Sequence, residues 1–205
     1  MIVGIIVGIV AVAVIVGFVF VNQPSFGRAP QGERLERIKK SPHYKDGEFR
    51  NLHSTMMMTS QKGRLGAFWG FLFKQETDLR PEKEIPVIKT DISKISKDEN
   101  VLVWGGHSSY FIQIDGKRIL VDPVFCGASP VSFVNKPFKG ADAYKPADMP
   151  EIDYLVISHD HWDHLDYETV MQRKNRVDKG GCPLGVGEHF EYWGFEKSSL
   201  VELDW

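Results

Sequence analysis

Residues 158–164 read Ser-His-Asp-His-Trp-Asp-His, which gathers three of the chain's seven histidines and two aspartates into one short stretch. At the chain's own His and Asp frequencies, the pattern His-x-His-x-Asp-His is expected by chance in about one such sequence in two thousand. Neutral imidazole nitrogen and carboxylate oxygen are donors that zinc and similar divalent cations accept. A lone histidine reads best as a solvated or packed side chain. Four donors at His159, His161, Asp163 and His164 read as a metal site. Zinc leads the candidates, and iron and manganese also accept this donor set.

The elements around the cluster are those such a site needs. Residues 152–159, "IDYLVISH", form a continuously apolar run of the kind that makes a strand buried on both faces. The donors then lie on the loop at its C-terminal end. "DYETVMQRKNRV" follows as a helix, with Asp166 as N-cap and Glu168 in the first turn. Upstream, "VLVW", "YFIQI" and "KRILVD" are β-branched and aromatic runs, the last two joined by Asp115-Gly116, a strong hairpin signal. Asp122-Pro123 ends the third strand, because proline cannot continue a ladder.

The chain has 205 residues, 42% of them hydrophobic, enough for one domain and an appendage. Its net charge of −2 gives no electrostatic basis for binding nucleic acid. The two cysteines, Cys126 and Cys182, form no Cys-x-x-Cys pair, so they read as ordinary thiols with a single bridge as the alternative. Residues 1–21 carry no charge, and as a helix they would span about 31 Å, close to a bilayer's hydrocarbon thickness. No basic residue precedes this run and no small-x-small cleavage pattern follows it, so it reads as an uncleaved, single-pass membrane anchor rather than a signal peptide. Arg28, Arg34, Arg37, Lys39 and Lys40 follow it, which places the main domain in the cytoplasm by the positive-inside rule. Gly4 and Gly8 have the spacing that lets two membrane helices pack, a basis for a weak homodimer.

Residues 22–86 read as a juxtamembrane connector and extension lying on the surface, with a short helix from about Gly32 to Lys40. Within it, "GAFWGFLFKQ" (66–75) concentrates aromatics near Met56–Met58. That segment reads either as a packing element of the core or as a surface that meets lipid. Residues 87–205 form the main domain.

"VLVWGGHSSYFIQIDGKRILVDPVF", "ISHDHWDHLDYET", "PLGVGEHFEYWGF" and "VELDW" together resemble the metallo-β-lactamase fold. Within it they are similar to the branch of N-acylphosphatidylethanolamine-hydrolysing phospholipase D and its bacterial relatives, from about Asn22 onward. The resemblance implies a four-layer αββα sandwich of the α/β class, with His159 and His161 on one metal ion and Asp163 and His164 on a second. Two such ions lower the pKa of a shared water toward 7 and stabilise charge on an attacked phosphoryl or carbonyl group. It implies a hydrolase of phosphodiester or lipid-like ester substrates, in which His161 and Asp163 are catalytic as well as ligating. Asp122 then either orients a ligand histidine or serves only as a turn former, and His107 either lines the pocket or sits in a hydroxyl-rich turn.

The family also draws on downstream ligands, namely a third histidine, a bridging aspartate and a final histidine. Residues 165–205 contain only His189, in a stretch that by resemblance precedes those ligands. The expectation is an incomplete sandwich ending inside the domain, with an exposed sheet face and four first-shell donors where a closed two-metal site needs about six or seven. The competing expectation is a membrane-tethered fragment that keeps a partial metal site without turnover. Recruitment of His189 as a substitute ligand is a third reading.

Overall fold

Asp-Gly pairs turn this chain twice. The computed structural model describes residues 2–53, 63–73, 80–130 and 135–204. The first helix, α1 (Ile2–Val21), has no buried residue. A 3-10 turn at Pro24–Phe26 leads to α2 (Gly32–Lys39), followed by the small hairpin of β1 (Tyr44–Lys45) and β2 (Glu48–Phe49). Asp46 and Gly47 turn that hairpin at φ 53° and 87°, as a tight turn with left-handed central residues requires. The same dipeptide turns β4 into β5 at Asp115-Gly116, as the sequence predicts, whereas the Asp46-Gly47 hairpin is too short to show a strand pattern of its own. The aromatic helix α3 (Gly63–Phe73) comes next.

The main sheet then runs β3 (Val101–Gly106), β4 (Ser109–Ile114), β5 (Lys117–Val121), β6 (Ile152–Val156), β7 (Val177–Pro183) and β8 (Leu200–Leu203). Helices α4 (Tyr167–Arg173) and α5 (Gly187–Tyr192) connect the last three strands. The strands lie side by side in chain order, the first three antiparallel and the rest parallel. Asp166 caps α4 by accepting from the Glu168 N–H at 3.1 Å, as anticipated. The helix ends at Arg173, however, and Val177 already belongs to β7, so the predicted helix was a turn too long.

The core lies on one face of the sheet. Phe111, Leu120 and Leu155 pair across β4, β5 and β6 and pack with Val170 of α4 and Phe190 of α5. Adjacent residues point the other way and remain open: Leu102 is 63% exposed, Trp104 50%, Tyr154 43% and Leu203 65%. The expectation that β6 is buried on both faces is therefore corrected. Ile152 and Leu155 are covered, whereas Tyr154 and Val156 face outward because no second layer covers that side among the described residues. A mixed sheet layered with helices on one side is the architecture of this chain.

Two further expectations change. Among the described residues, α3 contributes nothing to the core, since Leu65, Phe68, Trp69, Leu72 and Phe73 are all exposed. Among the described side chains this removes the packing reading; Met56–Met58, the Phe71 side chain and residues 74–75 lie outside the described residues. The connector, by contrast, is docked against the domain. Ile38 of α2 is 3% exposed, and a Cβ added at Gly185 would meet its Cδ1 at 2.9 Å. Cys126 and Cys182 are free thiols, exposed and buried respectively.

Candidate metal centre

Parallel pairing of β5 with β6 decides where the donors meet. Val121 pairs with Val156, so Asp122 emerges beside Ser158 at the C-terminal ends of both strands. β4 runs antiparallel to β5, so its first residues lie at that same end, and the β3–β4 turn carrying His107 arrives there too. Gly106 makes that turn possible: it sits at φ 101°, and a Cβ there would fall 2.2 Å from the Ala141 carbonyl oxygen. Three separate segments thus converge on one rim of the sheet.

At the rim Asp122 is 4% exposed and holds a left-handed backbone conformation with φ 42°. Its Oδ1 accepts from the Ser158 N–H at 2.7 Å, and its Oδ2 accepts from the Ser158 hydroxyl at 2.6 Å. Oδ2 also lies 2.9 Å from Nδ1 of His164, leaving Nε2 of that ring turned toward the cluster. The Ser158 hydroxyl in turn lies 3.0 Å from Nδ1 of His159. Ser158 therefore links both rings to one buried carboxylate, a role that sequence reasoning missed because a serine beside a histidine carries no distinctive signal.

Two groups of donors have their ligating atoms within 4.8 Å of one another: His159, His161 and Asp163, and His107, Asp163 and His164. Asp163 is common to both. This grouping differs from the sequence-based partition in bringing in His107, whose Nε2 lies 3.1 Å from Asp163 Oδ2. His159 Nε2 and His161 Nδ1 are 3.1 Å apart, within hydrogen-bonding distance, with the donor set by the tautomers. Burial, with the nearby His164 and His161 charges, lowers the His159 pKa below its ordinary 6.5 and favours the neutral imidazole that can ligate a cation. Burial alone would raise the Asp163 pKa, but hydrogen bonds from its own backbone N–H and from His107 hold it below the ordinary carboxylate range. A neutral His159 imidazole, three further imidazole rings, an ionised carboxylate and a buried carboxylate behind one ring fit a divalent cation. His189 is not part of either group; it pairs instead with Asp160 at 3.6 Å.

A cleft of about 830 Å³ opens beside His107 and Asp163, walled by Trp104, Phe125, Phe138 and Tyr144 and lined also by Lys136 and Lys145. A second, of about 800 Å³, flanks His159 between α2 and the sheet. The motif thus forms a ridge between two clefts.

A profile of the β-lactamase superfamily domain matches residues 101–199, from β3 to the turn before β8. This chain belongs to the metallo-β-lactamase superfamily. An uncharacterised protein of Mycobacterium tuberculosis is 36% identical over 173 residues, covering 82% of this chain and 45% of that one. The N-acyl-phosphatidylethanolamine-hydrolyzing phospholipase D 1 of Caenorhabditis elegans is 32% identical over 112 residues, covering 50% of this chain and 30% of that protein. A metal-dependent hydrolase of Haloquadratum walsbyi is 31% identical over 97 residues, covering 47% of this chain and 35% of that one. The chain spans less than half the length of each of these relatives. Together they support a metal-dependent hydrolase in general.

Proposed function

We propose that this chain is a membrane-anchored hydrolase of phosphodiester or lipid-like ester substrates, working with a divalent cation, zinc first. The carrying observation is the sharing of Asp163 by two donor groups at the C-terminal rim of the sheet. His159, His161 and Asp163 would hold one ion, and His107, Asp163 and His164 the other. Bound there, a divalent ion supplies a Lewis acid and lowers the pKa of coordinated water toward neutrality. The chain's own residues prepare that chemistry. Asp122 and Ser158 fix the His164 and His159 rings, and Asp163 Oδ2, steadied by His107 Nε2, is assigned to carry a proton to the leaving group. The aromatic walls and two lysines of the larger cleft suit a substrate with an apolar body and an anionic head.

Support for the anchor comes from α1, which is 20 residues long with mean hydropathy 3.2 and no buried residue. A helix of that length rises about 30 Å, a bilayer's hydrocarbon thickness. Metal analysis of the purified chain, with turnover of a phosphodiester, tests the enzyme reading. Two ions per chain, and turnover abolished in His161→Ala, is the expected result. Turnover that survives His161→Ala overturns the assignment. Cation binding with no turnover favours the second reading, a metal-holding chain without catalysis, which rests on each donor group offering three protein ligands among the described residues, one of them shared.

A further inference from the structure

The end of the apolar helix is stitched to the metal loop. Phe20 is half-buried, whereas the other described residues of α1 are exposed, and its ring meets Phe26 edge-on at 5.2 Å. Phe26 meets Trp162 edge-on at 5.4 Å. Trp162 lies between the ligand candidates His161 and Asp163 and is itself 41% exposed.

Residues 22–28 are held flat between these contacts. The Trp193 indole donates to the Pro24 carbonyl oxygen at 2.8 Å, and the Arg28 N–H donates to His189 Nδ1 at 3.0 Å. The Arg28 guanidinium pairs with Glu188 at 2.7 Å. Gly27, at φ 66°, lies so close to α5 that a Cβ there would fall 1.9 Å from His189 Nδ1. These contacts leave little freedom between helix end and domain, so the loop's position relative to the last turn of α1 is set.

We propose that residues 22–28 are a rigid strap that seats the metal loop on the lipid bilayer, with Trp162 in the headgroup layer. This rests on α1 crossing the membrane, as in the function proposed above. A span ending at Val21 puts Phe20 at the hydrocarbon boundary. The headgroup region adds about 5–8 Å on each side, and two ring contacts carry the chain across it to Trp162. Tryptophan is favoured at that depth, because its ring is apolar while its N–H needs a polar partner. The surface that meets lipid is thus the helix end, the strap and the exposed edge of the metal loop together.

Intrinsic fluorescence of the full chain in phosphatidylcholine vesicles, with and without brominated phosphatidylcholine, tests the seat. The expected result is a bromolipid-quenched emission in the native chain that is lost in Trp162→Phe, a substitution on an exposed side chain. Equal quenching in both overturns the proposal. Gly27→Ala is expected to pry the strap from α5 and remove the Trp162 component while the chain still floats with vesicles. A Gly27→Ala chain that melts cooperatively and keeps that component overturns the role of the strap. Flotation separates the premises. A native chain that does not float overturns the anchor and this proposal together, whereas one that floats without a Trp162 component overturns the seat alone. None of these readouts depends on turnover.

Discussion

Asp122 is buried, left-handed and bonded to both Ser158 and His164, so its carboxylate has one geometry available to it. Asn tolerates the same backbone conformation, which makes Asp122→Asn a test of charge rather than of shape. Cation affinity is expected to fall about 10- to 100-fold, the usual cost of losing a residue behind a ligating ring. Competition against a chelator measures it, and unchanged affinity removes Asp122 from the site. The ligand cluster was legible in the sequence because its donors are local: His159, His161, Asp163 and His164 lie within six positions. His107 and Asp122 were legible only as alternatives, since each also has an ordinary use in a turn. What decides between those uses is strand pairing across some forty residues, which spacing along the chain does not encode.

Among the elements, α2 departs most from expectation, because a connector read as surface chain turns out to be clamped. Arg34 meets Glu188 at 2.6 Å, Glu191 at 2.7 Å and Glu202 at 3.0 Å, and Arg37 also reaches Glu202 at 3.2 Å. Burial would lower the Arg34 pKa, but hydrogen bonds to the three glutamates raise it beyond its already high value. Replacing Arg34 with leucine leaves Glu188 with Arg28 and Glu202 with Arg37 as their remaining cationic partners, and is expected to destabilise the chain by about 1.5–3 kcal/mol, the scale of a lost hydrogen bond to a charged group. The urea midpoint reads this, and a variant as stable as the native chain refutes the clamp. Acid should loosen the same contact. Burial would raise the Glu188 pKa, yet Arg34 and Arg28 hold it below its ordinary 4.5. That contribution is therefore present above pH 4.5 and is lost as pH falls through the depressed value. A loss of stability on acidification that is steeper in the native chain than in Glu188→Gln is the expected observation. None of these pairings was readable in advance, because about 150 residues separate Arg34 from its partners. Strands β3 to β6 and the start of α4 were, since their signals are periodic and short in range.

Among the described residues, the main sheet has one covered face and one exposed one. Leu102, Trp104, Tyr110, Ile114, Tyr154, Val156, Val201 and Leu203 all lie on the bare side. Their exposed surface is on the order of 800 Å², well beyond the few hundred Å² of contiguous apolar surface that soluble monomers usually show. The native chain is expected to bind the dye ANS, and Leu102→Gln combined with Leu203→Gln to bind less with little change in urea midpoint. Equal binding by the two would place the sticky surface elsewhere. The sequence suggested β6 as covered on both sides because an apolar run does not say which of its faces has company. Strand order has a different consequence. From β4 onward, each strand of the main sheet sits next to the one made just before it. A strand leaving the ribosome therefore finds its neighbour already waiting at an open edge, and none has to be threaded between two that have paired. Assembly can keep pace with synthesis from the first hairpin to the last strand.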